Sequence, residues 1–415
     1  MSTATSDQSK SDIPWIISVD DHVTESPDLW TSRLPSKFKD RGPQVKRDRI
    51  LLGADARDGI TLIGDPNGRI ADYWVFDGKR AGTLSPITHA IGFDEKKIGN
   101  IALTYDEIHP GAWKQDVRLA DMTTNHVEAS MCFPNIVPGF CGQTFLRHDD
   151  KELSLLCIQA YNDWMIDEWC AGAGKKRLIP LILIPLWSPE LAADEVRRCA
   201  GKTPMFSVSF CENPHELGLP SIYTGKWDPF FKACEEAKAC ISMHIGSSGK
   251  IPTTSKDAPY MMTSVLMFVD SMTSTLDYLL GGVFERFPNL KIAYSEGQIG
   301  WLPYAIRRAD KVWHAKDKEG GDYVRTPNPP SSYVKGHVYG CIFDDDTALL
   351  SRDLIGMGQI MMEVDYPHSA CAYPHVVEVA TGLADIANLN ADERRMLFRG
   401  NAIEAYGLER MGLAN

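Results

Sequence analysis

Eight short apolar runs, each ending in a polar tip and most followed by an amphipathic stretch, constrain this chain more than any other feature. They are IISVD (16–20), EASMCFP (128–134), LIPLILIPLW (178–187), FSVSF (206–210), CISMHI (240–245), KIAYSE (291–296), HVYGCIF (337–343) and QIMMEVD (359–365). Runs this apolar suit strands buried on both faces, as in a parallel sheet. Helical periodicity occupies 153–169, 189–200, 228–239, 263–282 and 300–315. Eight such units predict an α/β fold of the closed (β/α)8, or TIM-barrel, kind. An open doubly wound sheet is the weaker alternative, because no GxGxxG follows the first run. Residues 26 to about 115 break the rhythm with turn sequences (GDPNGR, FDGKRAG) and short strand-like pieces (ITLIG, YWVF). They are expected to form a long insertion after the first strand, folded over the barrel mouth as a substrate wall.

The 415 residues are read as a single domain over 13–415, preceded by a polar, disordered arm at 1–12. A net charge of −12 with no basic run argues against a nucleic-acid partner. No apolar run approaches the ~18 residues of a membrane span, and the arm has no signal-peptide core. The ten cysteines are scattered and form no CxxC pair. They are expected to be reduced, mostly buried thiols of a cytoplasmic protein.

The chemistry lies at the run ends. SVDDHVTESPDLW puts Asp20, Asp21, His22 and Glu25 at the tip of the first strand. With period-two alternation Asp20 and His22 point together, toward the barrel axis, while Asp21 points away. A loop can fold Glu25 back. Further tips carry His244, Glu296 and Asp365, with His368 just beyond the last; the fourth run ends in Glu212. Taken singly, such residues are more often core histidines or helix caps. Together, imidazoles and carboxylates on separate strand tips suit a divalent ion such as Zn²⁺, Mn²⁺ or Fe²⁺. His368 can serve as a general acid or base, touch substrate, or be structural. His89, His109, His148, His215 and His337 read as surface or structural, His126 as lying at the wrong end of its strand, and His314 as solvated. Tyr73, Trp74 and Phe76 of the insertion and the FCGQTF loop are candidate walls around a small-molecule substrate. Trp301 and Tyr304 are candidates for packing against it or filling the core.

SVDDHVTESPDLW, FPNIVPGFCGQTF, CENPHELGLPSIY, SMHIGSSG, YSEGQIGWLPYAIRRAD, MEVDYPHS and RGNAIEAYGL together resemble the amidohydrolase-related family of metal-dependent TIM-barrel enzymes, over residues 14 to about 410. The resemblance implies ligands from strand one, a His on strand five and an Asp on strand eight: Asp20, His22, His244 and Asp365. Asp20-x-His22 resembles the acid-x-His form of the family's aromatic-acid decarboxylases, and Glu296 stands where those enzymes carry a His. With Glu25 and Glu296 added, the ligand set becomes rich in oxygen. That is similar to a subgroup with one or two ions of iron or manganese. The expected activity is hydrolysis of a small amide, ester or thioester through metal-bound hydroxide, with Asp365 or Glu296 taking the proton. Dinuclear iron or manganese/iron monooxygenation is the next expectation, then non-oxidative decarboxylation of an aromatic acid. A metal-free partner subunit is the reading outside catalysis. A homo-oligomer, or a hetero-oligomer with a related subunit, is expected.

Overall fold

The computed structural model describes residues 12–53, 61–93, 101–250, 252–315 and 325–414. The expected arm therefore lies outside the described residues, except for Asp12. All eight apolar runs contain parallel strand: β1 (Ile16–Val23), then, after four antiparallel strands, β6 (Val127–Pro134), β7 (Leu178–Ile179), β8 (Leu181–Ile182), β9 (Ser207–Phe210), β10 (Ile241–His244), β11 (Ile292–Ser295), β12 (Val338–Ile342) and β13 (Ile360–Met362). They form a three-stranded sheet, β1-β6-β7, and a six-stranded sheet, β8-β9-β10-β11-β12-β13, parallel throughout.

The run 178–187 was expected as one strand. Pro180 divides it, because proline has no N–H for the ladder. β7 pairs with β6 and β8 with β9, and the Pro180 carbonyl still accepts from Ser207 N–H at 2.8 Å. The chain at Pro180 thus carries one sheet directly into the other. At the far edges, Asp365 N–H donates to Asp20 O at 2.8 Å and His22 N–H to Tyr366 O at 2.7 Å. The segment after β13 is held against β1 at the height of the candidate ligands.

Helices cover one face of the strands, among them α1 (Gln115–Thr124), α2 (Lys151–Trp164), α3 (Pro189–Ala200), α4 (Asp228–Ala237), α5 (Val269–Leu280) and α6 (Leu302–His314). The helix expected over 263–282 is two, Tyr260–Leu266 and α5. A large buried cluster holds the helices to the strands through residues such as Cys157, Val196 and Phe231. A second cluster takes the opposite strand faces: Ile17, Val19, Met131, Phe133, Leu181, Ala293, Cys341 and Met361, closed off by Tyr406. Among the described residues no helix is long and apolar enough to cross a membrane.

Between β1 and β6 lies an antiparallel sheet of β2 (Gln44–Leu52), β3 (Thr61–Ile63), β4 (Arg69–Phe76) and β5 (Lys79–Thr83), in the order β3-β2-β4-β5. Two of its expected wall aromatics fill core instead. Trp74 is fully buried edge-on to Trp30, and Phe76 packs edge-on to Phe145. Tyr304, the candidate for core or substrate packing, is 76% exposed.

Candidate metal centre

β1 carries an irregularity that sets the site. Ser18 pairs with Ser130, yet Asp21 pairs with Cys132, so three steps along β1 match two along β6. This is a β-bulge, one residue in excess on one strand. Before it, Ile17 and Val19 face the inner cluster. After it, Asp20 and His22 take the inner side and Asp21 faces the helices. There Asp21 accepts from Ser130 Oγ, from Ser18 Oγ at 3.1 Å and from Tyr366 N–H at 2.9 Å. Burial pushes the Asp21 carboxyl up to about 6, while Arg118 and these hydrogen bonds pull it down.

Five of the six expected ligands converge, four of them most closely. His22 Nε2 lies 3.8 Å from Asp20 Oδ1 and 3.3 Å from Asp365 Oδ1, and His244 Nε2 lies 3.5 Å from Asp20 Oδ2. Both Asp20 oxygens, both Asp365 oxygens, His22 Nε2 and His244 Nε2 are buried without a hydrogen-bond partner among the described residues. Buried polar groups are seldom left so, and this cluster, with the ligand atoms of Asp20, His22 and His244 within 4.8 Å of one another, fits a cation. His244 Nδ1–H donates to Ile245 O at 2.8 Å, which leaves the Nε2 lone pair turned toward the site. Burial pushes the His244 imidazole down to about 4 and lowers His22 as well. Both rings are therefore neutral and ready to ligate near neutral pH. Asp20 is raised by burial and by the crowd of Glu363, Asp365, Glu296 and Asp21. For Asp365, burial acts upward, but His368 and His22 outweigh it and hold the carboxyl below the usual range.

Glu296 joins from the β11 tip, its Oε2 3.6 Å from His244 Nε2. Glu25 does not join. Its carboxylate accepts backbone N–H groups of Asn135, Ile136 and Val137 at 3.2–3.4 Å, so it anchors the loop after β6. That corrects the expectation of a metal ligand there: the nearest donors to this acid are loop amides. Glu212 accepts from Ser271 Oγ at 2.6 Å, with burial pushing it up to about 8.

His368 stacks on His22 with ring centroids 3.7 Å apart, and its Nδ1 sits 3.0 Å from Asp365 Oδ1. Phe140 of the FCGQTF loop stacks on His244 at 4.5 Å, and Phe133 meets the same ring edge-on at 5.0 Å. The loop does wall the centre.

Three contributors lie outside the expected set. Glu363 is fully buried, and one of its oxygens accepts from Glu296 N–H at 2.9 Å while the other is unpartnered among the described residues. Asp20, Cys341 and Glu363 each offer a ligand atom within 4.8 Å of the others. Parity with Asp365 was the available signal. Arg118, fully buried, donates to the carbonyls of His22 and Gly111 and lies 4.1 Å over the Tyr366 ring. Asn135 accepts from His368 Nε2 at 3.1 Å.

The amidohydrolase family pattern matches residues 106–408. The chain belongs to the amidohydrolase family. A 2-amino-3-carboxymuconate-6-semialdehyde decarboxylase of Dictyostelium discoideum is 26% identical over 313 residues, 74% of this chain and 80% of that protein. An amidohydrolase structure from Mycobacterium avium subsp. paratuberculosis superposes with a TM-score of 0.68 at 22% identity, over 95% of this chain and 99% of that one. A 5-carboxyvanillate decarboxylase of Novosphingobium aromaticivorans, crystallised with manganese and a nitrobenzoic acid, gives 0.62 at 15% identity, over 96% and 97%. These structures share the fold. For this family member, the orphaned set of Asp20, His22, His244 and Asp365 fits the divalent ion that the family uses.

Proposed function

We propose that this chain is a non-oxidative decarboxylase of a small, preferably aromatic, organic acid, using a divalent ion held by Asp20, His22, His244 and Asp365. The carrying observation is that Asp20, His22 and His244 offer unsatisfied buried ligand atoms within 4.8 Å of one another, with Asp365 Oδ1 beside them at 3.3 Å from His22 Nε2. Decarboxylation rather than hydrolysis leads because a curated relative and several structural neighbours are decarboxylases. Manganese suits the carboxylates of this mixed set and is the metal in one such neighbour. The reading takes the two sheets as sides of one closed (β/α)8 barrel, and the hydrogen bonds between β1 and the segment after β13 support it. Residues between β1 and α1 form the insertion on its rim.

A divalent ion held by Asp20, His22, His244 and Asp365 would supply positive charge that attracts a carboxylate and stabilises negative charge as it develops. The residues do the rest. Phe133 and Phe140 keep water from His244. Asp365 and the stacked His22 ring hold His368 beside the centre. When the carbon–carboxylate bond breaks, its electron pair stays on carbon, CO2 leaves, and His368 gives a proton to that carbon. Glu296, 18% exposed with its Oε2 3.6 Å from His244 Nε2, is the carboxylate that accepts from the substrate's donor groups.

The test is CO2 release from hydroxylated benzoates and muconate-type acids by manganese-loaded protein under nitrogen. Turnover without O2 that disappears in His244→Ala supports the reading. Ester or thioester hydrolysis in place of CO2 release, or strict O2 dependence, refutes it. One observation favours a second reading: Glu363 brings an unpartnered buried oxygen against Asp20 and Cys341. It suits a second ion and hence hydrolytic or oxygenating dinuclear chemistry. Two metals per chain by elemental analysis, reduced to one in Glu363→Gln, would favour it.

A further inference from the structure

Both ring nitrogens of His368 face acceptor-bearing side chains, Nδ1 toward Asp365 at 3.0 Å and Nε2 toward Asn135 at 3.1 Å. The proton positions follow from neighbours that have only one hydrogen-bonding role. The Thr88 carbonyl can only accept, and it lies 3.2 Å from Asn135 Nδ2. The NH2 end of the Asn135 amide therefore faces Thr88, and Oδ1, an acceptor, faces His368. The Ser85 carbonyl likewise only accepts and lies 3.0 Å from His89 Nδ1, so His89 carries its proton on Nδ1. Its Nε2 is then an acceptor, taking Thr24 Oγ–H at 2.8 Å. Thr24 Oγ in turn accepts from Asn135 Nδ2 at 3.2 Å, and the same NH2 group lies 3.4 Å from His89 Nε2. His89 is almost fully buried, and burial pushes its imidazole down to about 3, so it stays neutral. Every bond in the chain donates in one sense, from His368 through Asn135, Thr24 and His89 to the Ser85 carbonyl.

We infer that Ser85, His89 and Asn135 form a positioning relay that holds a proton on His368 Nε2 and leaves Nδ1 as the ring nitrogen that exchanges with the site. The inference rests on the reading of His368 as the group that hands a proton to substrate. Main-chain bonds pin the segment that ends the relay to the loop that starts it. Ala90 N–H donates to Pro367 O at 2.8 Å and Ser369 N–H to Ile87 O at 3.1 Å. His89 thereby becomes a working part of the centre, although it touches neither a candidate ligand nor the substrate position. A tautomer fixed by an outer hydrogen bond is a familiar way to set a site imidazole.

The experiment uses full-length, manganese-free protein labelled with ¹⁵N-histidine for two-bond ¹H–¹⁵N spectra, with His368→Gln to assign the His368 signals. Wild type is expected to show a protonated His368 Nε2 whose hydrogen exchanges slowly with solvent. In His89→Leu and Asn135→Leu that slow exchange is expected to vanish. With manganese restored, kcat should fall on the order of 10- to 100-fold at unchanged KM and metal content. His89→Gln, which returns an acceptor near the same place, should recover most of the loss; it also serves if the leucine variants do not fold. Wild-type Nε2 found unprotonated, or a protected proton and kcat unaltered in both leucine variants, overturns the relay. A wild-type spectrum with the expected protected proton, lost in both leucine variants, in a protein that decarboxylates no acid sinks the functional reading and leaves the relay standing.

Discussion

Asp20→Asn should make the metal-free protein more stable while removing its response to metal. Asp20 is fully buried, with neither oxygen hydrogen-bonded among the described residues, and Glu363, Asp365 and Glu296 all push its carboxyl up. An unsatisfied buried polar group costs about 1–3 kcal/mol. Replacing the charge with an amide that can donate to Asp365 or Glu296 should recover on the order of 2 kcal/mol. Metal acts oppositely on wild type, where free ion at 100 times Kd adds about 2.7 kcal/mol. For a chain of this size each kcal/mol moves Tm by roughly 1–2 °C. Calorimetry in EDTA and then in manganese reads both effects. Wild type should gain several degrees on adding metal; the variant should start a few degrees higher and gain none. A variant less stable than wild type in EDTA, or one that keeps the metal-induced rise, would refute the argument that these oxygens await a cation.

Burial holds Glu363 and Glu212 up near 8, against about 4.5 for an ordinary glutamate. The folded metal-free protein thus keeps protons that the unfolded chain gives up, and this contribution is full at acidic pH and lost as pH rises from about 4.5 toward 8. Urea midpoints in EDTA should fall between pH 5.5 and 8. Manganese binding at pH 7 should release protons, visible as a buffer-dependent calorimetric enthalpy. Phe140→Ala removes the ring stacked on His244 and should weaken metal binding several-fold, since an aromatic pair contributes about 0.5–1.5 kcal/mol. Arg118→Lys keeps the charge but loses the fork that reaches His22 O and Gly111 O, and should cost about 3 kcal/mol in chemical unfolding. Glu25→Ala should destabilise the fold while leaving metal content unaltered.

Strand order and most tip chemistry were legible because apolar runs and their endings are local properties. His244, Glu296 and Asp365 could each be placed at the end of the run that precedes them, whereas the inward turn of Asp20 and His22 depends on an irregularity that alternation along the strand does not show. Glu25 failed because its fate depends on a loop over a hundred residues away, whose amides converge only in three dimensions. Glu363 went unread because it sits inside an apolar run, where period-two counting from Asp365 would have exposed it as facing inward. His89 and Asn135 matter through each other and through Thr24, a dependence that no single stretch displays. Trp74 and Phe76 look like a substrate wall when only their segment is known; Trp30 and Phe145, which they pack against, come from either side of it.

The extra residue in β1 gives the two neighbouring aspartates separate employments. Apolar side chains occupy the inner lining at 17 and 19, and simple alternation would send 20 and 22 outward and 21 in. The half-step between Ser18 and Asp21 reverses that parity within one strand. Removing one residue there, with the rest of the strand kept in place, would turn a cation's grip into a helix-side brace and bring the brace inward. Anyone grafting this strand onto another scaffold must therefore carry its irregularity along with its letters.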